Sequence, residues 1–382
     1  KAQLTSEGNS GSEMGMTRIL RVFIYSRLTD LHGDVPYSEA GQGYTNGILK
    51  PKYDAQQDIY MDMLKELEEA VAQIGSSTTL GNSDIMFKGD TAKWKAWGNS
   101  LMLRLAMRLT KADSATAKAW AEKAVAAGTM TSNDHIAHVP HTNGPEGINQ
   151  NGHGEVFDAD GNPRISKTFA DWLKDDPRLP ILAARRSDGS TNPADLIGMP
   201  NGSTGATVPD TSIYAEPNRN VITGKDAPMV LQTYAEVRLL KAEMAFRGWS
   251  VPGSAEAHYN AGVKAAMQML SQLYTNAAVI TDAEVDAYLA KKPYDASKGW
   301  EMISEQYWAA TLLNEYESFS NWRRTGYPTL VPTSDPGSDT GGPIPRRLIW
   351  PEGEASTNAE NFAAAIARQG PNNMVTRVWW DK

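Results

Sequence analysis

The apolar positions of this chain fall mostly at helical spacing. From Met16 onward Ile19, Leu20, Phe23, Ile24, Leu28 and Leu31 recur at i, i+3 and i+4, which predicts an amphipathic helix with one buried stripe. Gly33-Asp34-Val35-Pro36 stops it. Asp54-Ala55-Gln56-Gln57 has the form of a capping box, and Ile59, Met63, Leu67, Ala70 and Ile74 then keep to one face until Gly75. Asp90 is placed to cap a long helix with Trp94, Trp97, Leu101, Leu105 and Leu109 on one side and Arg104 and Arg108 on another. The Ala-rich run from Ser114 to Ala127 ends at Gly128, a residue suited to a left-handed helix end.

The middle of the chain changes character. Between His135 and Ala227 Gly, Pro, Asn and Asp crowd together, and only Ser166 to Lys174 reads as a helix. Phe157, Trp172, Ile181, Ile213 and Tyr214 give this stretch something to bury, so it reads as functional loops instead of disorder. After Pro228, Met229 to Arg247 and Ser254 to about Tyr274 form two helical patterns joined by Gly248-Trp249-Ser250-Val251-Pro252-Gly253. Ala235, Ala242, Ala245, Ala257, Ala261 and Ala265 allow these two to approach closely, in the layout of a tetratricopeptide hairpin. Asp54 to Ile74 with Asp90 to Leu109 read as degenerate copies of it. Thr281-Asp282-Ala283-Glu284 caps a short helix, Trp300 to Tyr316 reads as one long helix, and Asn358 caps a last one from Ala359 to Arg368, closed by Gly370. The expectation is a mostly α, single-domain chain over 1–382. Its helical scaffold covers 12–130, 228–275 and 300–320, with a loop-rich, ligand-binding half at 131–227 and a C-terminal region at 321–382.

Composition narrows the function classes. A net charge of -8 and the absence of any basic run argue against a nucleic-acid partner, which needs clustered Lys and Arg. With 0 Cys there is no disulfide framework, thiolate metal site or cysteine nucleophile. No run of 18 apolar residues occurs, and the chain opens with Lys1-Ala2-Gln3-Leu4-Thr5 instead of a signal peptide. The 11 Trp and 14 Tyr against 7 Phe favour rings with a polar handle, which suit half-wet surfaces such as sugar or partner sites. Trp94, Trp97, Trp120, Trp172 and Trp308 lie in helical pattern and read as core, while Trp249 and Trp300 fit either environment.

Catalytic and metal signatures are weak. His135, His138 and His141 stand at i, i+3 and i+6, but Pro140 and Asn143-Gly144-Pro145 oppose the helix that zinc ligation would need, so no metal site is assigned. Asp158-Ala159-Asp160-Gly161-Asn162 begins like a calcium loop, yet Phe169 occupies the position of the closing Glu; an Asx turn is expected, with structural calcium as the alternative. There is no G-x-S-x-G elbow, P-loop or dinucleotide fingerprint. A pair of opposed carboxylates, as in a helical-barrel glycosidase, stays open as an alternative, although Glu66, Glu68, Glu69 and Glu122 read as solvated helix faces. Arg323 and Arg324, beside Trp322 and Tyr327, either bind an anion or pin the following loop.

Several blocks in order carry a resemblance. Asp30-Leu31-His32-Gly33-Asp34-Val35-Pro36-Tyr37-Ser38-Glu39-Ala40 comes first, then Lys52-Tyr53-Asp54 and Asp176-Pro177-Arg178-Leu179. Asn321-Trp322-Arg323-Arg324-Thr325-Gly326-Tyr327-Pro328, Ile344-Pro345-Arg346-Arg347-Leu348 and Trp379-Trp380-Asp381 complete the set. From about Arg18 onward the chain resembles the SusD/RagB family, closest to its SusD-like branch. The resemblance implies a surface lipoprotein of the Bacteroidota outer membrane, built on tetratricopeptide-like helix pairs. It implies a lid on a SusC-like TonB-dependent transporter that captures oligosaccharide, or peptide in some branches, without chemistry or cofactor. It further implies that a lipobox, its acylated Cys and a first helical segment precede Lys1, so the sequence reads as truncated at its start.

The shared blocks transfer no ligand residues, so the site is read from chemistry. A sugar face stacks on a ring, and its hydroxyls seek planar amides and guanidinium groups. The loop set offering both is His141, Asn143, Asn149, Asn151 and His153 with Tyr214, Asn218 and Arg219. A third reading is a tetratricopeptide scaffold that holds peptides in a concave groove.

Overall fold

A computed structural model describes residues 8, 11–203, 207–333 and 337–382. Its longer helices are α1 (Ser12–His32), α2 (Gln56–Gln73), α3 (Thr91–Arg108), α4 (Ser114–Ala127), α5 (Gly152–Ala159) and α6 (Lys167–Trp172). They continue with α7 (Tyr234–Phe246), α8 (Ala255–Leu273), α9 (Asp282–Lys291), α10 (Gly299–Ala310), α11 (Glu315–Thr325) and α12 (Ala359–Gln369). Two short antiparallel ladders accompany them: β1 (Ala137–Val139) pairs with β4 (Met229–Gln232), and β2 (Ala183–Arg185) with β3 (Ala215–Pro217). The fold is mostly α, with helix pairs and a loop-rich stretch as the sequence predicts. Two compact units emerge, one of the described residues through Met130 with Gly248–Val251 and Asn314–Lys382, the other of Thr131–Arg247 and Pro252–Leu313.

In the first unit α1 packs on α2, α2 on α3 and α3 on α4. The predicted buried stripe of α1 is rotated: Ile19, Val22 and Phe23 are buried, but Ile24 is 56% and Leu28 42% exposed. The buried face includes Ser26, Thr29 and Asp30, because Asp30 accepts bonds from the Tyr60 hydroxyl and from Trp380 Nε1 at 2.9 Å, beside Arg108 Nε at 3.5 Å. Burial pushes the Asp30 carboxyl pKa up, and Arg108 and the Tyr60 bond work against that rise. Helix α3 is buried on all sides from Ala96 to Arg108, so Arg104 and Arg108, set apart from the apolar stripe, also lie inside. Glu317 of α11 answers them, 2.6 Å from Arg108 Nη2 and 3.6 Å from Arg104 Nε.

Asp90 caps α3 as predicted, accepting from the N–H groups of Ala92 and Lys93. Asp54 does not cap α2: its carboxylate takes the N–H groups of Tyr37 and Ser38 at 3.1 and 2.7 Å, while Asp34 Oδ1 accepts from Gln56 N–H at 2.8 Å. Of the paired Arg residues, Arg323 resolves as a loop pin, and Arg324 bonds within its own helix. Arg323 donates to the Arg346 carbonyl at 2.9 Å between the rings of Phe319 and Trp380, and Arg324 donates to Asn321 Oδ1 at 2.8 Å. Asn358 gives α12 no side-chain cap; its amide donates to the Pro51 carbonyl at 2.8 Å.

In the second unit α7 packs on α8 and α10. Gly262 permits the first contact, because a Cβ there would lie 2.8 Å from Leu239 Cγ. Thr233 and Glu236 form a reciprocal capping box at α7, so the chain before it, Met229–Gln232, is strand and not helix. The single helix predicted from Trp300 to Tyr316 is two, α10 and α11. Thr311 Oγ1 turns back to the Tyr307 carbonyl at 2.9 Å, and Leu313 takes a left-handed φ of 64°. Trp94 and Trp97 are core, whereas Trp120, Trp172 and Trp308 are only half-buried.

Candidate functional site

The loop-rich part of the second unit gathers around one short helix, α5, which the local sequence disfavours because it contains Gly152 and Gly154. Asn151 starts it: its side-chain oxygen accepts from His153 N–H at 2.8 Å, and its amide donates to the Ala227 carbonyl at 2.7 Å. Its own N–H donates to the Lys225 carbonyl at 2.7 Å. Gly154 then lies flat against residues 224–225, where an added Cβ would stand 2.8 Å from Gly224 O and Lys225 Cα. Backbone cannot yield there, which is why glycine occupies the position.

The loop before α5 closes on itself. Thr142 N–H and the His141 ring nitrogen Nδ1 both meet the Asn149 carbonyl, at 3.0 and 3.1 Å, and Gln150 Nε2 donates to Asn143 Oδ1 at 3.1 Å. Asn149 itself turns the chain with a φ of 60°, a conformation Asn tolerates better than most residues. Beyond α5, Arg219 Nη2 donates to the Asp160 carbonyl at 3.3 Å and Arg219 Nε to Glu216 Oε1 at 3.0 Å. Arg186 reaches the same carboxylate at 3.3 Å, and Arg164 holds the carbonyls of Gly161 and Thr211 at 2.6 and 2.9 Å. Burial draws the Arg164 pKa down; Glu216 opposes the shift, and the neighbouring Arg186 and Arg219 reinforce it.

All eight sequence-predicted residues therefore lie along this loop cluster, but they differ in what they offer. Asn151 and Asn218 are 3% exposed and spend their polar groups on the backbone, Asn218 Oδ1 accepting from Asn220 N–H at 3.2 Å. They shape the loops and present no amide to solvent. Asn143 and Asn149 are exposed, and His141, His153, Tyr214 and Arg219 are half-buried. Around them Ile148, Val156 and Ile213 are exposed and Phe157 is half-buried, which adds apolar surface to a polar set. Reading along the chain misses Arg164, Arg186 and Glu216 as partners in this cluster, because the β2–β3 pairing that joins Arg186 to Glu216 leaves no mark in local spacing.

Asp158 and Asp160 do not converge. Asp158 pairs with Lys225 Nζ at 2.8 Å, which lowers its pKa, and Asp160 Oδ1 accepts from Asn162 N–H at 2.9 Å in an Asx turn. His138 lies on β1 and His135 on the turn before it, so the three histidines share no helix face. Among the described residues no group of three or more His, Cys, Asp or Glu is disposed to hold a metal ion. No helix among them is long and apolar enough to cross a membrane.

Comparisons with known proteins bear on the whole chain. A solved structure described as a chitin-binding protein is 35% identical, with a TM-score of 0.87 over 98% of this chain and 82% of its own. A SusD-like protein from Bacteroidetes is 29% identical, with a TM-score of 0.86 over 100% of this chain and 86% of its own. A chitin-binding SusD homologue from Flavobacterium johnsoniae is 27% identical, with a TM-score of 0.83 over 99% of this chain and 82% of its own. No curated protein sequence matches. Residues 1–351 match the SusD-like family described as starch-binding and associating with the outer membrane, and the chain belongs to that family.

Proposed function

We propose that this chain binds a nutrient oligosaccharide at the cell surface, without cleaving it, and passes it to a SusC-like TonB-dependent transporter. The observation that carries the reading is the family match over residues 1–351, joined to 35% identity with a chitin-binding protein over 98% of the chain. Within the chain the reading falls on the α5 loop cluster. The Tyr214 ring supplies a stacking face, and Asn143, His153 and Arg219 supply directional polar groups. Asn151 and Asn218 serve by holding the loops that carry these groups. Anchorage to the outer membrane by an N-terminal lipid belongs to the same proposal.

Affinity electrophoresis through gels containing glycol chitin or soluble starch tests it. The chain should be retarded by one of these polymers, and a Y214A/R219A double variant should migrate as in a gel without polysaccharide. A loss of at least about ten-fold in affinity, or about 1.4 kcal/mol, is expected for removing a ring and a guanidinium from a sugar site. Retardation unchanged in the double variant would remove the site from this cluster. Retention on a peptide matrix with none on polysaccharide would transfer the proposal to the peptide-binding branch.

A further inference from the structure

The first unit carries a cavity of about 380 Å³ that the proposed glycan site does not include. Its wall is formed by the start of α2, the end of α12 and the C-terminal segment, with Gln57, Arg368, Arg377 and Trp379 among its lining and the carboxylates of Asp34 and Asp381 beneath. That volume lies within the range of pockets that take small ligands.

The chemistry of the wall is one-sided. Asp34 has both oxygens engaged, Oδ1 by Gln56 N–H at 2.8 Å and Oδ2 by Arg368 Nε at 2.6 Å, and its side chain is only 5% exposed. Asp381 is engaged by Arg346 and by Arg377 Nη1 at 3.0 Å, and its side chain is 0% exposed. The acids are thus turned inward and saturated. The cationic side chains are not: Arg368 and Arg377 are 42% and 53% exposed. Among the described residues, Arg368 Nη1, Arg377 Nε and Nη2 and Trp379 Nε1 have no hydrogen-bond acceptor; Lys382 also lines the cavity, and Gln57 brings an amide that both donates and accepts. Trp379 is half-buried, its ring 6.4 Å from that of Tyr60, and so it is fixed as a flat wall of the cavity.

We infer that this cavity is a second ligand site, specific for a sugar bearing a carboxylate. A wall whose acids are already engaged, while Arg368 and Arg377 keep guanidinium N–H groups without an acceptor, favours an anionic acceptor such as a carboxylate over a neutral hydroxyl. Guanidinium groups bind the planar carboxylate in fixed directions, and the Trp379 indole offers the C–H face of a pyranose a surface to stack on. The inference stands apart from the proposed glycan site, whose residues all belong to the second unit.

Titration calorimetry with digalacturonic acid and with its methyl-esterified form tests the assignment. The acid should bind saturably, more weakly as salt is raised, and the ester at least about ten-fold more weakly. R377Q should weaken the acid by a similar factor while melting at the same temperature as the parent chain, because Asp381 keeps Arg346 as its partner. W379F, which keeps a ring but removes the indole N–H, supplies a second variant should R377Q fail to fold, and should also weaken the acid. Y214A/R219A should leave uronate binding unchanged. Equal binding of acid and ester, no binding of either, or affinity unmoved by both R377Q and W379F would overturn the inference.

Discussion

Glu13 shows how a single side chain ties a helix start to a distant loop. It sits in the first turn of α1, and one of its oxygens accepts from Thr79 N–H at 2.7 Å and from the Thr78 and Thr79 hydroxyls, each at 2.8 Å. These bonds favour the ionised form and lower its pKa from 4.5 to about 2, the Thr79 N–H contributing most. A depressed carboxyl stabilises the fold above the unfolded value and loses that contribution as pH falls toward the folded one. E13Q should therefore cost about 1–2 kcal/mol at neutral pH, allowing for solvent screening. Urea titrations should show the gap narrowing between pH 4.5 and about 2. A gap that stays constant with pH would refute the assignment. His258 acts in the opposite charge sense. Its Nε2–H donates to the Pro252 carbonyl at 2.7 Å while Nδ1 is buried without a partner among the described residues. Burial first, then Arg238, lowers its pKa from 6.5 to about 4, so the native state holds it neutral. Stability is then full above pH 6.5 and falls as the unfolded chain takes up the proton, down to about pH 4. Thermal melts across this window should decline less steeply for H258Q; parallel declines would contradict the account. The sequence names residues like these but not their partners. Asp54 and Asp34 both precede α2, and only the fold shows that Asp34 accepts from the helix while Asp54 closes the turn at Tyr37.

At the scale of elements, burial of charge decides more than apolar periodicity does. Glu317 on α11 faces two arginines of α3 whose side chains are 6% and 2% exposed. Removing one partner of a buried ion pair leaves an uncompensated charge, so E317A should lower the unfolding free energy by about 3–5 kcal/mol in a denaturant titration. A loss below about 1 kcal/mol would mean that Arg104 and Arg108 are satisfied by other groups. The same network explains why the α1 stripe was misplaced by its hydrophobic pattern, since Thr29 and Asp30 are buried in preference to Ile24 and Leu28. Helices with local signals were legible: α3 from Asp90, α4 from its ending at Gly128, α6 from Ser166, α9 from its capping box. Helix α5 was not, because its glycines lower helix propensity and its position depends on the distant segment 224–227. The break at Leu313 was equally hidden, since no Gly or Pro marks it.

For the whole molecule, ordered motif blocks carried more than any periodicity. They pointed to the SusD-like family through segments that mostly do structural work, such as Arg323 beneath Trp380 and Asp176 bound to Arg178. The residues proposed to face the ligand lie outside those blocks, in loops whose chemistry can be listed from the sequence but whose exposure cannot; Asn151 and Asn218 resemble Asn143 in composition and differ from it in burial. The central claim is that the chain holds a glycan and leaves it intact. Its most direct test is calorimetry with chitin and starch oligosaccharides, followed by mass spectrometry of the recovered ligand. Saturable binding of one series, with the oligosaccharide recovered at its original length, is the predicted result. Shortened products, or no heat of binding from either series at millimolar ligand, would contradict the account.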